Sequence, residues 1–217
     1  MYVEKLFNLK GKVVGIIGGG GYLCGEMAKS FANAGCAVII IDIREEKAKK
    51  VENEINKLGF KNTLSLSLDV GEKEEHKLVL NSILDKFGKL DVIINGAGIN
   101  GSTPYLEISE KEWNSIMDSQ IKGTFLGCQV YGAHMLEQGA GNIINISSAS
   151  AGPPLSRAFT YSAAKAAIKN LTQNLAREWA TKGIRVNAIR PGFFPTKWNL
   201  ENFIDKDRKE SILNHTP

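Results

Sequence analysis

The sequence predicts a doubly wound α/β fold, in which helices cover both faces of one parallel sheet. Short apolar runs alternate with longer segments of helical periodicity along the chain. The apolar runs are rich in Val and Ile, as are strands that are buried on both faces. The connections are short, which is typical of strand–helix–strand units with parallel strands. We therefore expect three layers, α/β/α, with the strand order 3-2-1-4-5-6 and right-handed crossovers.

The predicted strands are short, and each ends next to an unusual residue. The strands cover Lys12–Ile17, Cys36–Ile41, Thr63–Leu68, Leu90–Ile94, Asn142–Ile146 and Ile184–Ile189. The helices cover Tyr22–Ala34, Glu45–Leu58, Lys73–Phe87, Glu110–Gln138 in two segments, and Ser156–Thr181. Ligands of such sheets bind outside the carboxyl ends of the strands. We therefore predict that the residues at these ends meet along one rim: Gly18, Asp42, Asp69, Asn95, Ser148 and Pro191.

Composition and charge narrow the class of protein. A chain of 217 residues suits one domain with a full hydrophobic core. The net charge of +4 comes from lysines interleaved with glutamates, which favours solvated helices over a nucleic-acid surface. The three cysteines lack metal-ligand spacing, and no apolar run approaches the roughly 20 residues of a membrane span. With no signal-peptide core at the N-terminus, we expect a cytoplasmic protein without metal, membrane or nucleic-acid partners.

A run of four glycines follows the first strand and opens the first helix. Bare backbone N–H groups at a helix N-terminus bind a pyrophosphate, which predicts a nucleotide site here. The generic Gly-x-Gly-x-x-Gly spacing is not met, because the third glycine position is Cys24 and Gly25 follows it. The alternative is a tight turn that binds nothing, but its position after the first strand favours a nucleotide. The predicted contacts are Gly18, Gly20, Gly21, Tyr22 and Leu23.

Asp42 ends the second strand, about 20 residues after the glycines, as dinucleotide binding requires. Its carboxylate can accept hydrogen bonds from an adenosine ribose and would repel a 2′-phosphate, which favours NAD over NADP. Arg44 lies two residues later and partly offsets this repulsion. Asp42 has a second interpretation, as the N-cap of the helix that begins at Glu45. Asp69, before Val70, is similarly either a cap or an adenine contact.

A serine, a tyrosine and a lysine follow the fifth strand. Tyr161 and Lys165 are four residues apart, so they share one face of a helix. An ammonium beside a phenol stabilises the phenolate and lowers the tyrosine pKa from about 10 toward neutrality. The hydroxyl of Ser148 can hydrogen-bond a substrate oxygen that the tyrosine protonates or deprotonates. Such a pair also arises by chance on ordinary amphipathic helices, and only the other residues along the rim favour catalysis.

Taken together, these motifs resemble the short-chain dehydrogenase/reductase family over nearly the whole chain. The resemblance rests on the glycine turn, Asp42, Ser148 and four further motifs, which are Asp69-Val70, Asn95–Gly98 (NGAG), Tyr161–Lys165 (YSAAK) and Pro191-Gly192 with Thr196. It implies a Rossmann fold and a reversible hydride transfer between a nicotinamide and an alcohol or ketone. The expected cofactor is therefore NAD, with NADP less favoured because of Asp42.

The resemblance also implies a role for individual residues. Tyr161 would be the general acid/base, Lys165 would hold the nicotinamide ribose, and Ser148 would orient the substrate oxygen. Thr196 would anchor the nicotinamide carboxamide. The remaining implied cofactor contacts are Asp69, Val70, Asn95, Gly96, Ala97, Pro191 and Gly192.

The chain departs from the family pattern in four places. Ile17 replaces a threonine before the glycine turn, and Cys24 replaces its last glycine. Gln120 takes the place of a catalytic asparagine and is one methylene longer, which bears on the water relay to Lys165 and hence on turnover. Relatives continue with a further helix and a seventh strand. We expect the single domain 1–217 to lack both, which leaves the sixth strand as an open edge.

Two short segments and the last residues resemble a branch of the family that acts on sugar acids. The segments are Gly21–Cys24 and Pro191–Pro195, and the chain ends in His215–Pro217. That branch interconverts D-mannonate and D-fructuronate or related keto acids. A sugar acid needs a cation for its carboxylate, and the candidates for its pocket are Arg157, Lys197, Asn100, Asn199 and Trp198. The alternative for Arg157 and Lys197 is an ordinary exposed charge, which is common on protein surfaces.

A second hypothesis belongs to another class of protein, a catalytically weak NAD-binding protein that acts as a sensor or assembly partner. Gln120, Ile17 and Cys24 favour it, whereas the intact Ser–Tyr–Lys set opposes it. In either case the family suggests a homodimer or homotetramer built through the two long helices.

Overall fold

The computed structural model describes residues 7–153, 157–202, 204 and 206–215. Six strands form one sheet: β1 (Val13–Ile17), β2 (Ala37–Asp42), β3 (Thr63–Ser67), β4 (Val92–Asn95), β5 (Gly141–Ile146) and β6 (Ile184–Ile189). The helices are α1 (Tyr22–Asn33), α2 (Glu45–Lys57), α3 (Lys73–Phe87), α4 (Glu110–Met117), α5 (Gly123–Gln138), α6 (Phe159–Trp179), α7 (Lys197–Asn202) and α8 (Lys206–His215). Short 3₁₀ turns lie at Tyr105–Glu107, Ala149–Ala151 and Ala180–Lys182.

The sheet has the order β3-β2-β1-β4-β5-β6, and all neighbouring strands are parallel. This confirms the predicted doubly wound α/β fold, including its strand order. β1 and β2 are buried along their whole length, because helices cover both faces of the sheet. One apolar cluster packs α1 and α2 on one face, and a second packs α3, α5 and α6 on the other.

The strand ends lie side by side, so the residues that follow them share one rim. Ile17 is level with Ile41 in one neighbouring strand and with Asn95 in the other. Farther along the sheet, Ile146 is level with Ile189. The glycine turn, Asp42, the segment after β4, Ser148 and Pro191 therefore all begin at the same edge.

The long helix after β4 is predicted as two segments, but the structure shows it as continuous. α4 and α5 are joined without a break by a π-helical turn at Asp118–Lys122. Hydrophobic periodicity does not reveal such a turn, because one extra residue shifts the helical register without interrupting it. The next helix begins at Phe159, and its predicted first residue, Ser156, lies outside the described residues. Among the described residues, no helix combines the length and apolar character needed to cross a bilayer.

Candidate active site

The glycine turn lies between β1 and α1 and leaves backbone amides open. Gly18 has a φ of 79°, and a Cβ on it would lie 2.8 Å from the amide nitrogen of Ala97, so this position requires glycine. The amide of Gly19 donates to the Ile41 carbonyl at 2.9 Å, which ties the turn to β2. α1 has Gly21 as its N-cap, with no capping side chain and no acidic residue in its first turn. Its N-terminal amides thus fit the pyrophosphate of a dinucleotide.

Ile17 and Cys24, the two residues near this turn that depart from the family pattern, are packing residues. Ile17 is buried in β1, and its carbonyl accepts a hydrogen bond from the Gly96 amide at 3.0 Å. Cys24 is 5% exposed, and a Cβ on Gly96 would collide with its Sγ. Burial raises the pKa of the Cys24 thiol to about 11, so the thiol is neutral at physiological pH. Both side chains therefore fill the interior behind the turn and leave its open amides unchanged.

Asp42 is held at the end of β2 with its carboxylate beside the glycine turn. Its Oδ2 accepts a hydrogen bond from the Gly20 amide at 3.1 Å, and its Oδ1 accepts one from the Arg44 amide at 3.0 Å. The Arg44 Nε lies 3.5 Å from the same Oδ1. The N-cap residue of α2 is Arg44 and has no side-chain cap, so the interpretation of Asp42 as the N-cap is wrong. The carboxylate thus lies next to the turn whose open amides could hold a pyrophosphate.

Asp69 and Val70 lie at the neighbouring strand end. Asp69 is exposed, and its Oδ1 accepts a hydrogen bond from the Gly71 amide at 2.9 Å. The N-cap of α3 is Glu72, so Asp69 is not the cap residue either. Val70 is half-buried and packs close to Gly123 of α5.

Ser148, Tyr161 and Lys165 come together at the end of β5. The Ser148 Oγ accepts hydrogen bonds from the Ser150 amide at 3.2 Å and the Ser150 hydroxyl at 3.1 Å. Ser148 also lies close enough to Tyr161 to act on the pKa of its phenol. The Lys165 Nζ lies 5.4 Å from the centre of the Tyr161 ring and donates to the Ile146 carbonyl at 2.6 Å. The geometry thus gives a phenol with a hydroxyl on one side and an amine nearby.

The pKa of Tyr161 differs in direction from the sequence-based expectation. Burial raises the pKa of Tyr161, while its hydrogen bond to Ser148 acts in the opposite direction. Burial lowers the pKa of Lys165 from 10.5 to about 8. The expectation that Lys165 lowers the tyrosine pKa is therefore not met in this structure. The reason is desolvation, which disfavours the charged forms of both groups.

Gln120 lies in the π-helical turn and is 2% exposed. Its Nε2 donates to the Ile99 carbonyl at 2.8 Å, and the Ile99 amide donates to the Ser119 hydroxyl at 3.2 Å. The glutamine thereby fastens the segment after β4 to the helix. Its Oε1 is buried and has no hydrogen-bond partner among the described residues. Such an acceptor is available to a water molecule.

The substrate candidates occupy different parts of the rim. The Asn100 Oδ1 accepts a hydrogen bond from the amide of the next residue at 2.8 Å. The Asn199 Nδ2 donates to the Phe194 carbonyl at 2.7 Å, so this amide supports its own loop. Arg157 is exposed and has a φ of 57°, which is uncommon for a residue other than glycine. The side chain of Trp198 lies outside the described part of the structure.

Thr196 and Asn95 make contacts that the sequence does not reveal. The Thr196 Oγ1 accepts a hydrogen bond from the Asn199 amide at 3.2 Å, at the start of α7. The Asn95 Nδ2 donates to the Asn145 Oδ1 at 2.8 Å, and the Asn145 Nδ2 donates to the Thr172 hydroxyl at 2.9 Å. The Asn95 side chain is thus used within the interior, and its backbone and the residues that follow it remain for the rim.

Sequence reasoning also missed Arg190, which follows β6. Its Nε donates to the Ser148 carbonyl at 3.0 Å, and its Nη2 donates to the Ala149 carbonyl at 3.0 Å. A cation directly before Pro191-Gly192, at a strand end, was the available signal. Among the described residues, no group of three potential His, Cys, Asp or Glu metal ligands is found.

Comparison with known proteins places this geometry in a family. The sequence pattern of the family described as short chain dehydrogenase matches residues 12–207. A 2-dehydro-3-deoxy-D-gluconate 5-dehydrogenase of Dickeya dadantii is 35% identical over 216 residues, which cover 99% of this chain and 84% of the relative. A protein of the same name from Escherichia coli is 34% identical over 216 residues, with the same coverage of 99% and 84%.

Solved structures agree with the sequence matches. A gluconate 5-dehydrogenase from Burkholderia cenocepacia, in complex with NADP and tartrate, superposes with a TM-score of 0.90 at 28% identity. The superposition covers 98% of this chain and 84% of the other. An NAD⁺-bound xylitol dehydrogenase gives a TM-score of 0.85 at 28% identity, covering 89% of this chain and 74% of the other.

Proposed function

The chain belongs to the short-chain dehydrogenase/reductase family and is an oxidoreductase acting on CH–OH groups, and we propose that it transfers a hydride between NAD(H) and a sugar acid. The substrate pair that we propose is D-mannonate and D-fructuronate, or a closely related hydroxy and keto acid. The observation that carries the proposal is the grouping of Ser148, Tyr161 and Lys165 on the rim that also holds the glycine turn and Asp42.

The chemistry assigned to this chain's own residues is proton transfer. When bound, the nicotinamide supplies the hydride acceptor or donor. In the oxidation direction, the Tyr161 phenolate takes the hydroxyl proton of the substrate, and in the reduction direction the phenol returns it. The Oγ of Ser148 already accepts two hydrogen bonds from Ser150, so its own hydrogen is free to be donated to Tyr161 or to the substrate oxygen. Lys165 supplies donors for the nicotinamide ribose.

Several residues are proposed to hold the dinucleotide. The amides of the glycine turn, with Tyr22 and Leu23 at the start of α1, would hold the pyrophosphate. Asp42 would bind the adenosine ribose, and its negative charge favours NAD over NADP. The other proposed contacts are Asp69, Val70, Gly96, Ala97, Pro191, Gly192 and Thr196. Because similar structures contain NADP in one case and NAD in another, the Asp42 carboxylate is the feature on which the preference rests.

Replacing Asp42 with Asn is expected to lower the NAD over NADP ratio of kcat/KM about tenfold, which corresponds to about 1.4 kcal/mol. The change removes the charge that repels a 2′-phosphate and releases Arg44, whose Nε lies 3.5 Å from the carboxylate. The measurement is initial rates with both cofactors. Glu46→Gln, an equal charge change at an exposed position of α2, is the control. An equal shift in both variants would mean that Asp42 does not select the cofactor.

The sugar-acid part of the proposal rests on relatives and on charge. The relatives named above carry the names of dehydrogenases of a deoxy-keto-gluconate and of gluconate. A carboxylate substrate needs a cation, and exposed Arg157 lies between Ser148 and Tyr161 in the chain. Asn100 would line the same pocket. Asn199 would act mainly by supporting the Phe194 loop.

The substrate is tested by measuring NADH formation with a panel that contains sugar acids and the matching uncharged polyols. The expected result is turnover of a sugar acid, with a kcat/KM at least about tenfold above that of the matching polyol, because the polyol lacks the carboxylate. Arg157→Met should reduce this difference between acid and polyol. Equal activity on both classes would remove the sugar-acid assignment and leave the dehydrogenase assignment intact.

Gln120→Asn is expected to raise or lower kcat by no more than about threefold. The glutamine makes the hydrogen bond to Ile99, and its buried Oε1 has no partner among the described residues. We propose that this oxygen holds the water of a relay to Lys165, as an asparagine would. Single-turnover rates of the two proteins provide the measurement. A large gain in the variant would instead show that the glutamine impairs the natural enzyme.

The proposal also includes a homodimer or homotetramer formed through the helices α4–α6, and a cytoplasmic location. The family resemblance suggests the assembly, and the location is the expectation from the sequence. Sedimentation of the purified protein at several concentrations would measure the assembly directly.

A further inference from the structure

Arg190 links the end of β6 to the segment that carries Ser148. Its guanidinium donates two hydrogen bonds, from Nε to the Ser148 carbonyl and from Nη2 to the Ala149 carbonyl, both at 3.0 Å. The two acceptors are consecutive carbonyls, and they lie 42 and 41 residues away in the chain. A planar guanidinium with several fixed donors suits this bidentate contact, whereas an ammonium offers a single point of charge.

The surrounding backbone makes the same link rigid. The Ser147 amide donates to the Ile189 carbonyl at 2.8 Å, and the Ala149 amide donates to the Pro191 carbonyl at 3.0 Å. The residues on both sides of Ser148 are therefore held by backbone hydrogen bonds to the end of β6. The guanidinium of Arg190 adds the bonds to the Ser148 and Ala149 carbonyls. A Cβ on Gly152 would lie 3.0 Å from Nη2 of Arg190, so the glycine leaves the room that the guanidinium needs.

The side chain of Ser148 shows why its backbone position matters. Its Oγ accepts two hydrogen bonds from Ser150, and the serine lies close enough to Tyr161 to act on the pKa of the phenol. A hydroxyl with this set of partners has one direction for its own hydrogen. A small displacement of the Ser148 backbone would turn that hydrogen away from the tyrosine oxygen, and hydrogen bonds weaken steeply with angle.

We propose that Arg190 is a positioning residue for the reaction, and that its guanidinium fixes the Ser148–Ala149 backbone so that the Ser148 hydroxyl stays directed at Tyr161. This inference rests on the proposed function, because it assigns Ser148 and Tyr161 to the reaction. The two hydrogen bonds that the guanidinium donates both go to backbone carbonyls. Its effect passes through the backbone of Ser148.

The test compares Arg190→Met and Arg190→Lys with the unchanged enzyme. Methionine keeps most of the side-chain length but donates no hydrogen bond, and kcat is expected to fall about tenfold or more because the hydroxyl is misplaced. KM for NAD should stay within about twofold, since the glycine turn and Asp42 are untouched. Lysine restores a cation and one donor, so its kcat should lie between the other two. Arg185→Met, at an exposed position of β6, is the control and should retain full activity.

A pH profile separates positioning from a general loss of structure. Burial raises the pKa of Tyr161, and the nearby Ser148 hydroxyl acts in the opposite direction, so moving that hydroxyl away should raise the pKa further. The rise of the oxidation rate with pH should therefore move to higher pH in Arg190→Met and by a smaller amount in Arg190→Lys. The Arg185→Met profile should overlie that of the unchanged enzyme.

The same titration can be followed without turnover, which separates this inference from the proposed function. In protein with ¹³Cζ-labelled tyrosine, Tyr161→Phe identifies the Tyr161 signal, and its pH midpoint is read in each Arg190 variant. A midpoint that moves to higher pH in Arg190→Met supports the inference even if no sugar acid is turned over. If Arg190→Met does not fold, Arg190→Lys carries the test. An unchanged midpoint in the folded variants, or an equal loss of rate in lysine and methionine variants without a pH shift, would overturn it.

Discussion

Replacing Tyr161 with Phe is expected to lower kcat about a thousandfold while leaving NAD binding unchanged. The substitution removes only the hydroxyl that exchanges a proton with the substrate and keeps the ring beside Lys165, whose Nζ lies 5.4 Å from the ring centre. Initial rates and calorimetric titration with NAD provide the two measurements. Loss of rate with unchanged affinity would separate the proton-transfer role of the tyrosine from a role in cofactor binding.

The matched control is Tyr131→Phe, which removes the same atom elsewhere. Tyr131 is fully buried in α5, and its hydroxyl has no hydrogen-bond partner among the described residues. Removing an unpartnered buried hydroxyl is expected to leave turnover unchanged and to hold or raise the free energy of unfolding. If both variants lost activity to a similar extent, the loss in Tyr161→Phe would reflect packing, and its assignment as the acid/base would be contradicted.

Lys165→Met is expected to lower kcat/KM about a hundredfold and to raise the stability of the folded protein at neutral pH. The activity falls because the nicotinamide ribose and the tyrosine lose their nearby amine. The stability rises because the lysine is 4% exposed, and burial of its charged form is unfavourable. Part of this gain is offset by the lost hydrogen bond to the Ile146 carbonyl, which lies 2.6 Å from Nζ. Rates and chemical denaturation measure the two effects.

The difference in the free energy of unfolding between Lys165→Met and the unchanged protein should depend on pH. Folding lowers the pKa of Lys165 from 10.5 to about 8, so the unfolded chain binds the proton more tightly. The contribution of the lysine to stability is therefore present above about pH 10.5 and is lost as the pH falls to about 8. As the pH falls from about 10.5 to about 8, the stability advantage of Lys165→Met should grow, and below about pH 8 it should stay constant. Lys169→Met, at a half-buried position one turn away, is the matched control.

An advantage of Lys165→Met that is equal at all pH values would contradict burial of the lysine as the cause. An activity equal to that of the unchanged enzyme would contradict its place in the site. A variant that is more stable and less active would be consistent with the trade-off common at active sites, where a buried charge is retained for function.

Much of the fold follows from local sequence. The runs at Val13–Ile17 and Ala37–Asp42 are strands because β-branched residues suit positions buried on both faces, and glycines mark several helix ends. The π-helical turn at Asp118–Lys122 could not be predicted in this way. Its Gln120 donates to the Ile99 carbonyl, a tertiary contact that the order of residues does not display.

The site is predictable in its position and less so in its energetics. Parallel strands end at one edge, so the places of Asp42 and Ser148 followed from counting strands. The pKa directions of Tyr161 and Lys165 did not, because they depend on how much water the folded chain excludes. The same holds for Arg190, whose partners lie more than 40 residues earlier in the chain.

The measurement that tests the central claim most directly is NADH formation from NAD and D-mannonate, together with a panel of related sugar acids, at neutral and alkaline pH. Wild type and Tyr161→Phe are compared side by side. The account predicts NADH formation by the wild type, faster at alkaline pH because Tyr161 must lose its proton, and almost none by the variant. If neither NAD nor NADP were reduced with any sugar acid, or if the variant matched the wild type, the account would be contradicted.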